Sequence, residues 1–317
     1  MRILITGGAG FLGAALANRL VAEGRTVLVL DDLTAGDPRQ LDPQVLFNRG
    51  DVRDVPKLWT LLQGVDCVYH LAARVRVPES VHYPSDYNQV NVGGTVALME
   101  AVRDTGVSRV VFTSSAALYG EQSRQPIRED QPARPDSPYG VSKLAAEHYV
   151  STLGGLYDIE TVSLRIFNAY GPGQELPPSY PPVIPQLLKQ AQTGGSVVIF
   201  GNGDQTRDFV YIDDVVDALI AAATATGVNR SVINIGSGSE ISINDLAANV
   251  LRITSSRANL LHNLGSPAGV SRLVADASLA LELLDWQPKT SLDQGLKLTM
   301  ERDARFRQRL GEMGAEK

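Results

Sequence analysis

The sequence predicts an α/β fold: a doubly wound parallel sheet with a smaller α/β lobe toward the C-terminus. Three observations predict it. Short apolar runs alternate with amphipathic stretches. The runs are β-branched or leucine-rich and mostly not alternating, as in strands covered on both faces. The first run leads directly into a glycine-rich turn. Strand–helix alternation with short connections gives a parallel sheet.

Taken in order, strands are expected at 2–6, 26–31, 45–47, 67–71, 109–114, 161–166 and 232–235. Helices are expected around 11–23, 54–62, 88–106, 138–154 and 213–225. Two stretches break the rhythm: 170–185 is rich in proline and glycine, and 258–272 is irregular and polar. Both read as loops closing over a site. No internal repeat is present, and 301–317 reads as a charged helical tail that frays.

The 317 residues suffice for one large or two modest domains. A net charge of −6 without any Lys/Arg-rich block argues against a nucleic-acid partner. The single cysteine, Cys67, excludes intrachain disulfides and reads as a buried small hydrophobe. Met1 leads straight into a strand, leaving no room for a signal peptide. No segment reaches the ~18 apolar residues that would span a bilayer. A soluble, cytoplasmic protein without a membrane partner is expected. His70, His82, His148 and His262 lack ligand spacing, so no metal is expected.

Residues 6–13 read Thr-Gly-Gly-Ala-Gly-Phe-Leu-Gly, between the first strand and first helix. Gly8, Gly10 and Gly13 satisfy G-x-G-x-x-G; Gly7, Gly10 and Gly13 satisfy G-x-x-G-x-x-G. Missing side chains let backbone N–H groups approach a pyrophosphate at the positive helix end, so this is a Rossmann-type dinucleotide turn. The plainer alternative is a turn without ligand. Asp31, ending the second strand, can accept hydrogen bonds from ribose hydroxyls and would repel a 2′-phosphate, favouring NAD; Asp32 can share the role. Asp51 and Val52 could flank the adenine. Ser114 and Ser115 end the fifth strand, on the side of the sheet where α/β sites lie, and Ser115 can steady a substrate oxygen. Tyr139 and Lys143, four apart on a helix, converge on one side. A nearby cation favours the phenolate, which makes the pair an acid–base for an alcohol losing hydride. Such pairs also occur on ordinary solvated helices, so the companion motifs decide.

Those motifs resemble, over nearly the whole length, the extended short-chain dehydrogenase/reductase family in its branch of nucleotide-sugar epimerases and dehydratases. The resemblance rests on residues 6–13, Asp31-Asp32-Leu33, His70-Leu71-Ala72-Ala73, Asn91-Val92-Gly93-Gly94-Thr95, Ser114-Ser115, Tyr119-Gly120 and Tyr139…Lys143. It continues through Leu164-Arg165-Ile166-Phe167-Asn168, Gly171-Pro172-Gly173, Gly203-Asp204, Arg207-Asp208-Phe209 and Asn234-Ile235-Gly236.

The resemblance implies NAD as cofactor, contacted by Gly7, Gly10, Phe11, Leu12, Gly13, Asp31, Asp32, Asp51, Val52, Leu71, Ala72, Ala73, Asn91, Ser114, Tyr139, Lys143 and Phe167. It makes Tyr139 the base, Lys143 the holder of the nicotinamide ribose, and Ser115 the sugar-hydroxyl partner. Asn168 and Arg207 would meet the diphosphate, and Val183, Ile184 and Phe200 would wall the nucleotide base. The NAD-binding domain would span 1–166 and about 208–235. A nucleotide-sugar-binding domain would take about 167–207 and 236–317.

Subclass is implied by Ser115-Ala116-Ala117. Resembling 4,6-dehydratases place Thr-Asp-Glu here, and alanine has no proton to give. That leaves 4-epimerisation through a transient 4-keto sugar, with UDP-glucose/UDP-galactose the first expectation. A dehydratase or 4-ketoreductase, or a non-catalytic NAD-binding scaffold, are the alternatives. Two departures stand out. Residues 266–269 read Ser-Pro-Ala-Gly where epimerases commonly show Arg-Pro-Gly-Asp, so Arg272 would substitute or Arg207 act alone. Ile166 replaces a common tyrosine. Leu273 occupies the position that gates the space beside the sugar's C2 substituent, favouring plain hexoses over N-acetyl forms. A homodimer is expected through helices 88–106 and 138–154, with Val92, Val96, Leu98, Met99, Leu144 and Val150 as candidate interface residues.

Overall fold

The computed structural model describes residues 1–265 and 269–307. Residues 266–268, which carry the arginine departure, and 308–317, most of the expected tail, lie outside them.

The chain begins β1 (Arg2–Thr6), α1 (Phe11–Ala22), β2 (Thr26–Asp31), β3 (Leu46–Arg49), α2 (Val55–Leu61), β4 (Cys67–His70). Then come α3 (Val77–His82), α4 (Pro84–Tyr87), a π-helical turn (Asn88–Gly93), α5 (Gly94–Arg103), β5 (Arg109–Ser115) and a 3₁₀ turn (Ala116–Leu118). Next are α6 (Pro138–Tyr157), β6 (Glu160–Ile166), β7 (Asn168–Tyr170), α7 (Val183–Thr193), β8 (Val197–Phe200) and β9 (Thr206–Tyr211). The remainder is α8 (Ile212–Thr224), β10 (Ser231–Ile235), β11 (Glu240–Ser242), α9 (Ile243–Ile253), β12 (Leu260–Asn263), β13 (Arg272–Leu273), α10 (Ser278–Leu284) and α11 (Leu292–Arg302).

Among the described residues the main sheet has seven parallel strands in the order β3-β2-β1-β4-β5-β6-β10. Strand order reverses between β1 and β4, where Thr6 and His70 are partners; ligands of open α/β sheets bind at such a crevice. Side chains alternate between two dry layers. Ile3 and Ile5 pack with α1 and α8 through Leu16, Leu20, Val215 and Leu219. Leu4 and Leu28 pack with α2, α5 and α6 through Leu58, Leu98, Met99 and Val150. Burial on both faces is the reason the strands read as unbroken apolar runs. It also removes Leu98, Met99 and Val150 from any free face.

Smaller sheets form the second lobe. β9 pairs with β7 and β13 in parallel and with β11 antiparallel, and β8 pairs with β12. The two stretches expected as loops are therefore partly ordered elements: α7 starts at Val183, and 258–272 contains β12 and the start of β13. Short strands at a lobe's edge carry too few residues for a periodic signal. The expected helix 88–106 begins as a π turn over Asn88–Gly93 and continues as α5 to Arg103. Asn91, buried there, donates to and accepts from the backbone of Arg74 (3.0 and 2.7 Å), an arrangement that favours an irregular helix over a continuous one.

Candidate active site

The glycine turn is dictated by contact. Gly7 has φ +70°, and a Cβ there would lie 2.6 Å from the Ala72 backbone nitrogen. At Gly13 a Cβ would lie 2.2 Å from the Gly7 carbonyl oxygen. Gly10 differs: its Cβ would meet only that same oxygen, at 3.3 Å, so the protein itself leaves room. Gly10 also caps α1 with no side-chain hydrogen bond, leaving the helix end to a ligand phosphate. Phe11 and Leu12 form the first turn behind it.

Asp31 is buried at the end of β2. Its Oδ2 accepts from Ala9 N and its Oδ1 from Leu33 N, each at 2.9 Å. Burial raises its pKa, and these backbone N–H groups hold it back down. A carboxylate offers about four acceptor positions, so bracing the turn and receiving a ribose are compatible. Asp32 accepts from Thr34 N and Oγ1 (2.9 and 2.7 Å). Asp51 is paired with Arg53 at 2.6 Å, which holds its pKa low, beside buried Val52. Leu71, Ala72 and Ala73 leave β4 over the same crevice; Leu71 N donates to Thr6 O at 3.0 Å. The glycine cradle, an open helix end and a strand-end carboxylate together fit NAD.

α6 carries Tyr139 and Lys143, the expected acid–base pair. Ser137 caps it by accepting from Gly140 N at 3.2 Å, and Pro138 opens its first turn. Both Tyr139 and Lys143 are buried. Burial pushes the Tyr139 phenol up, and the nearby Ser115 hydroxyl opposes that rise. Ser115 also accepts from Ala117 N at 3.2 Å, which fixes its oxygen at the end of β5. Burial lowers Lys143 to about 7, and its ammonium stands 4.3 Å over the Phe112 ring. The group that pulls the buried phenol down is the Ser115 hydroxyl, rather than the expected Lys143 cation. Phe167 and Ser114 are buried beside this strand end.

Substrate candidates gather on the second lobe. Asn168 donates to Asp208 O at 2.9 Å, keeping its amide oxygen for other partners. Arg207 pairs in register with Leu273, and burial lowers its pKa. Leu273 is buried in a cluster with Ala116, Leu118 and Phe167, which places it against the Ser115-Ala116-Ala117 turn. Arg272 is held by Glu240 (2.5 and 3.1 Å). Phe200 is exposed at the end of β8, Val183 is half-buried, and Ile184 is in the core.

Several positioning groups surround this pair, of which Ser80 and Ser142 carry no distinctive motif. His70 bridges Thr6 Oγ1 (2.7 Å) and Thr95 Oγ1 (2.8 Å), and burial, with Lys143 near, drops it to about 3. Ser80 Oγ accepts from Tyr139 N at 3.1 Å, and Ser142 Oγ accepts from Asn91 at 2.9 Å. Only the invariance of a position across relatives could have flagged Ser80 or Ser142. Among the described residues no His/Cys/Asp/Glu group could hold a metal, and no helix is long and apolar enough to cross a membrane.

A model of the NAD dependent epimerase/dehydratase family matches residues 3–236. A putative UDP-glucose 4-epimerase of Methanocaldococcus jannaschii is 35% identical over 297 residues, covering 93% of this chain and 96% of that relative. The UDP-glucose 4-epimerase of Mycolicibacterium smegmatis is 35% identical over 308 residues, 95% of this chain and 98% of its own. The crystal structure of UDP-glucose 4-epimerase with UDP-glucose from Thermotoga maritima has a TM-score of 0.93 at 34% identity. It covers 98% of this chain and 100% of that one. With its cradle, strand-end aspartate and Tyr139/Lys143 pair, the chain belongs to the NAD dependent epimerase/dehydratase family.

Proposed function

We propose that this enzyme interconverts the C4 epimers of a nucleotide sugar, UDP-glucose and UDP-galactose first among them. One observation carries the reading: Ser115, at the end of β5, stands near enough to lower the pKa of the buried Tyr139 phenol, while the next two residues are alanines. Two groups can bind and move the proton of one hydroxyl, and positions 116 and 117 offer no acid to expel water. Bound NAD supplies the acceptor that takes the C4 hydride and gives it back. Tyr139 takes the C4 hydroxyl proton as hydride leaves and returns it to the epimeric oxygen. Ser115 orients that oxygen, and Lys143 favours the phenolate. Arg207 and Asn168 would hold the diphosphate while the sugar turns, through charge-assisted contacts for the guanidinium.

We place the boundary between the two lobes as given above, and assign NAD mainly to the first and the nucleotide sugar mainly to the second, with Phe167 and Ser115 reaching across it. A homodimer in the cytoplasm completes the proposal. The exposed apolar residues of α6 are Val141, Tyr149 and Leu156, on one stripe of the helix beside the half-buried Val92, Val96 and Leu144. A stripe meeting its own copy about a two-fold axis would cover them. Screening UDP-, dTDP-, GDP- and CDP-hexoses for interconversion without added NAD tests the activity. No interconversion of any of them would reject it.

A further inference from the structure

Glu147 stands outside the reacting trio, yet it lies four residues beyond Lys143 and eight beyond Tyr139 on α6, on the same side of the helix. Its side chain is only 4% exposed. Glu147 Oε2 accepts from Ser114 Oγ at 2.6 Å and from Arg165 Nε at 3.1 Å, and Oε1 accepts from Arg165 Nη2 at 2.7 Å. Ser114 and Arg165 are register partners on β5 and β6. The carboxylate therefore ties the catalytic helix to two strands, one residue from Ser115.

Arg165 carries the connection onward. Its Nη1 donates to the Tyr119 hydroxyl at 2.7 Å, which donates to Asn234 Oδ1 at 2.8 Å. Asn234 donates to Ile127 O at 2.9 Å, and Ile127 N donates to Val274 O at 2.8 Å, next to Leu273. A buried ion pair is weak evidence of stability, since apolar residues of similar volume often serve as well. Its place beneath the reacting groups points to chemistry instead.

The charged and titratable groups around Lys143 and Glu147 are few. His70 faces Lys143 from β4 and is neutral at working pH. Tyr87 meets the Tyr139 ring from α4. Arg165 faces Glu147 from β6, with Tyr119 and Glu129 beyond it. Glu147 is the group whose charge opposes the burial of the Lys143 ammonium.

We propose that Glu147 is a positioning residue for proton transfer: clamped by Ser114 and Arg165, it fixes α6 against β5 so that Tyr139 stands beside Ser115. The proposal rests on the epimerase reading for its kinetics. Its second readout, ionisation of Tyr139, needs no sugar, so failure of the two ideas can be told apart.

Glu147→Gln alone leaves Arg165 buried without its partner and invites misfolding. The test therefore adds Glu147→Gln with Arg165→Met, which removes both charges, and Ser114→Ala, which removes the bond to Glu147, with retained NAD showing whether a cofactor contact is lost as well. Each NAD-loaded protein is measured for thermal midpoint, retained NAD, kcat, KM and the tyrosinate ultraviolet difference spectrum against the same protein carrying Tyr139→Phe. The double variant is expected to fold and keep NAD and KM, with kcat down at least ~10-fold. Tyr139 ionisation and the acid limb of kcat should move up by at least about half a pH unit, since the phenol loses its fixed place beside Ser115, the group that lowers it. Ser114→Ala should lower kcat with KM unchanged. Wild-type kcat and unchanged Tyr139 ionisation in a folded double variant would overturn the proposal. If the double variant does not fold, wild-type kcat in Ser114→Ala would overturn it.

Discussion

The Ser115 hydroxyl does two things at once: it accepts the Ala117 backbone N–H at 3.2 Å and lowers the pKa of the buried Tyr139 phenol near it. The first contact fixes the oxygen, and the second lowers the cost of forming a phenolate in a dry site. Tyr139→Phe should keep fold and NAD while turnover falls by at least ~10²-fold, because a positioned acid–base group contributes ~10²–10⁴. Steady-state kinetics beside a thermal melt check this. Near-wild-type epimerisation would remove Tyr139 from the role of base.

Lys143 is expected to be a destabilising residue kept for chemistry. Burial holds its pKa at about 7 against an ordinary 10.5. Between those values the unfolded chain binds more protons, so stability of the NAD-free protein rises as pH rises through that window. Lys143→Met should flatten this dependence and raise the thermal midpoint near neutral pH, while turnover drops by at least ~10²-fold. Melting both proteins across that range provides the check; equal slopes would show the ammonium is not buried at a cost.

The glycine turn separates folding from cofactor binding. Gly13→Ala meets the Gly7 carbonyl at 2.2 Å, so loss of thermal stability is expected. Gly10→Ala meets protein only at 3.3 Å and should fold nearly normally, yet lose retained NAD because its methyl group stands at the phosphate approach. Cofactor content after denaturation, compared with the melt, distinguishes them. A Gly10→Ala protein that keeps stoichiometric NAD would contradict the cradle.

Much of this was legible in the sequence because its signals are local. Strands 2–6 and 26–31 are read to the residue, since buried strands leave unbroken apolar runs and glycines mark the turn. The stretch 138–154 reads as a helix, and α6 runs on from there to Tyr157. The rest depends on pairing between distant segments. β13 exists because Arg272 and Leu273 lie beside Thr206 and Arg207, and nothing in two residues says so. Arg272, expected as a spare diphosphate contact, is occupied by Glu240, thirty-two positions away. The interface residues proposed from apolar content included Leu98, Met99 and Val150, which the sheet buries; composition cannot tell a helix's inner face from an outer one.

Leu273 bears on sugar choice. It packs with Ala116, Leu118 and Phe167, leaving an apolar wall that cannot hydrogen-bond an acetamido group. An unpaired polar group costs ~1–3 kcal/mol, so plain hexoses should be favoured over N-acetyl forms. Leu273→Ser should raise relative activity on the N-acetyl pair, at some loss of stability from the vacated core. Equal wild-type kcat/KM on UDP-glucose and UDP-N-acetylglucosamine would show that Leu273 is not the gate.

The central claim is reversible oxidation at C4 by an enzyme that regenerates its own cofactor. UDP-glucose carrying deuterium at C4, incubated with the purified protein and no added NAD, tests it in one experiment. The account predicts UDP-galactose that keeps the deuterium at C4, formed over many turnovers with no accumulation of NADH. Product that lost the label, one NADH formed per keto sugar, or no galactose epimer at all would contradict it.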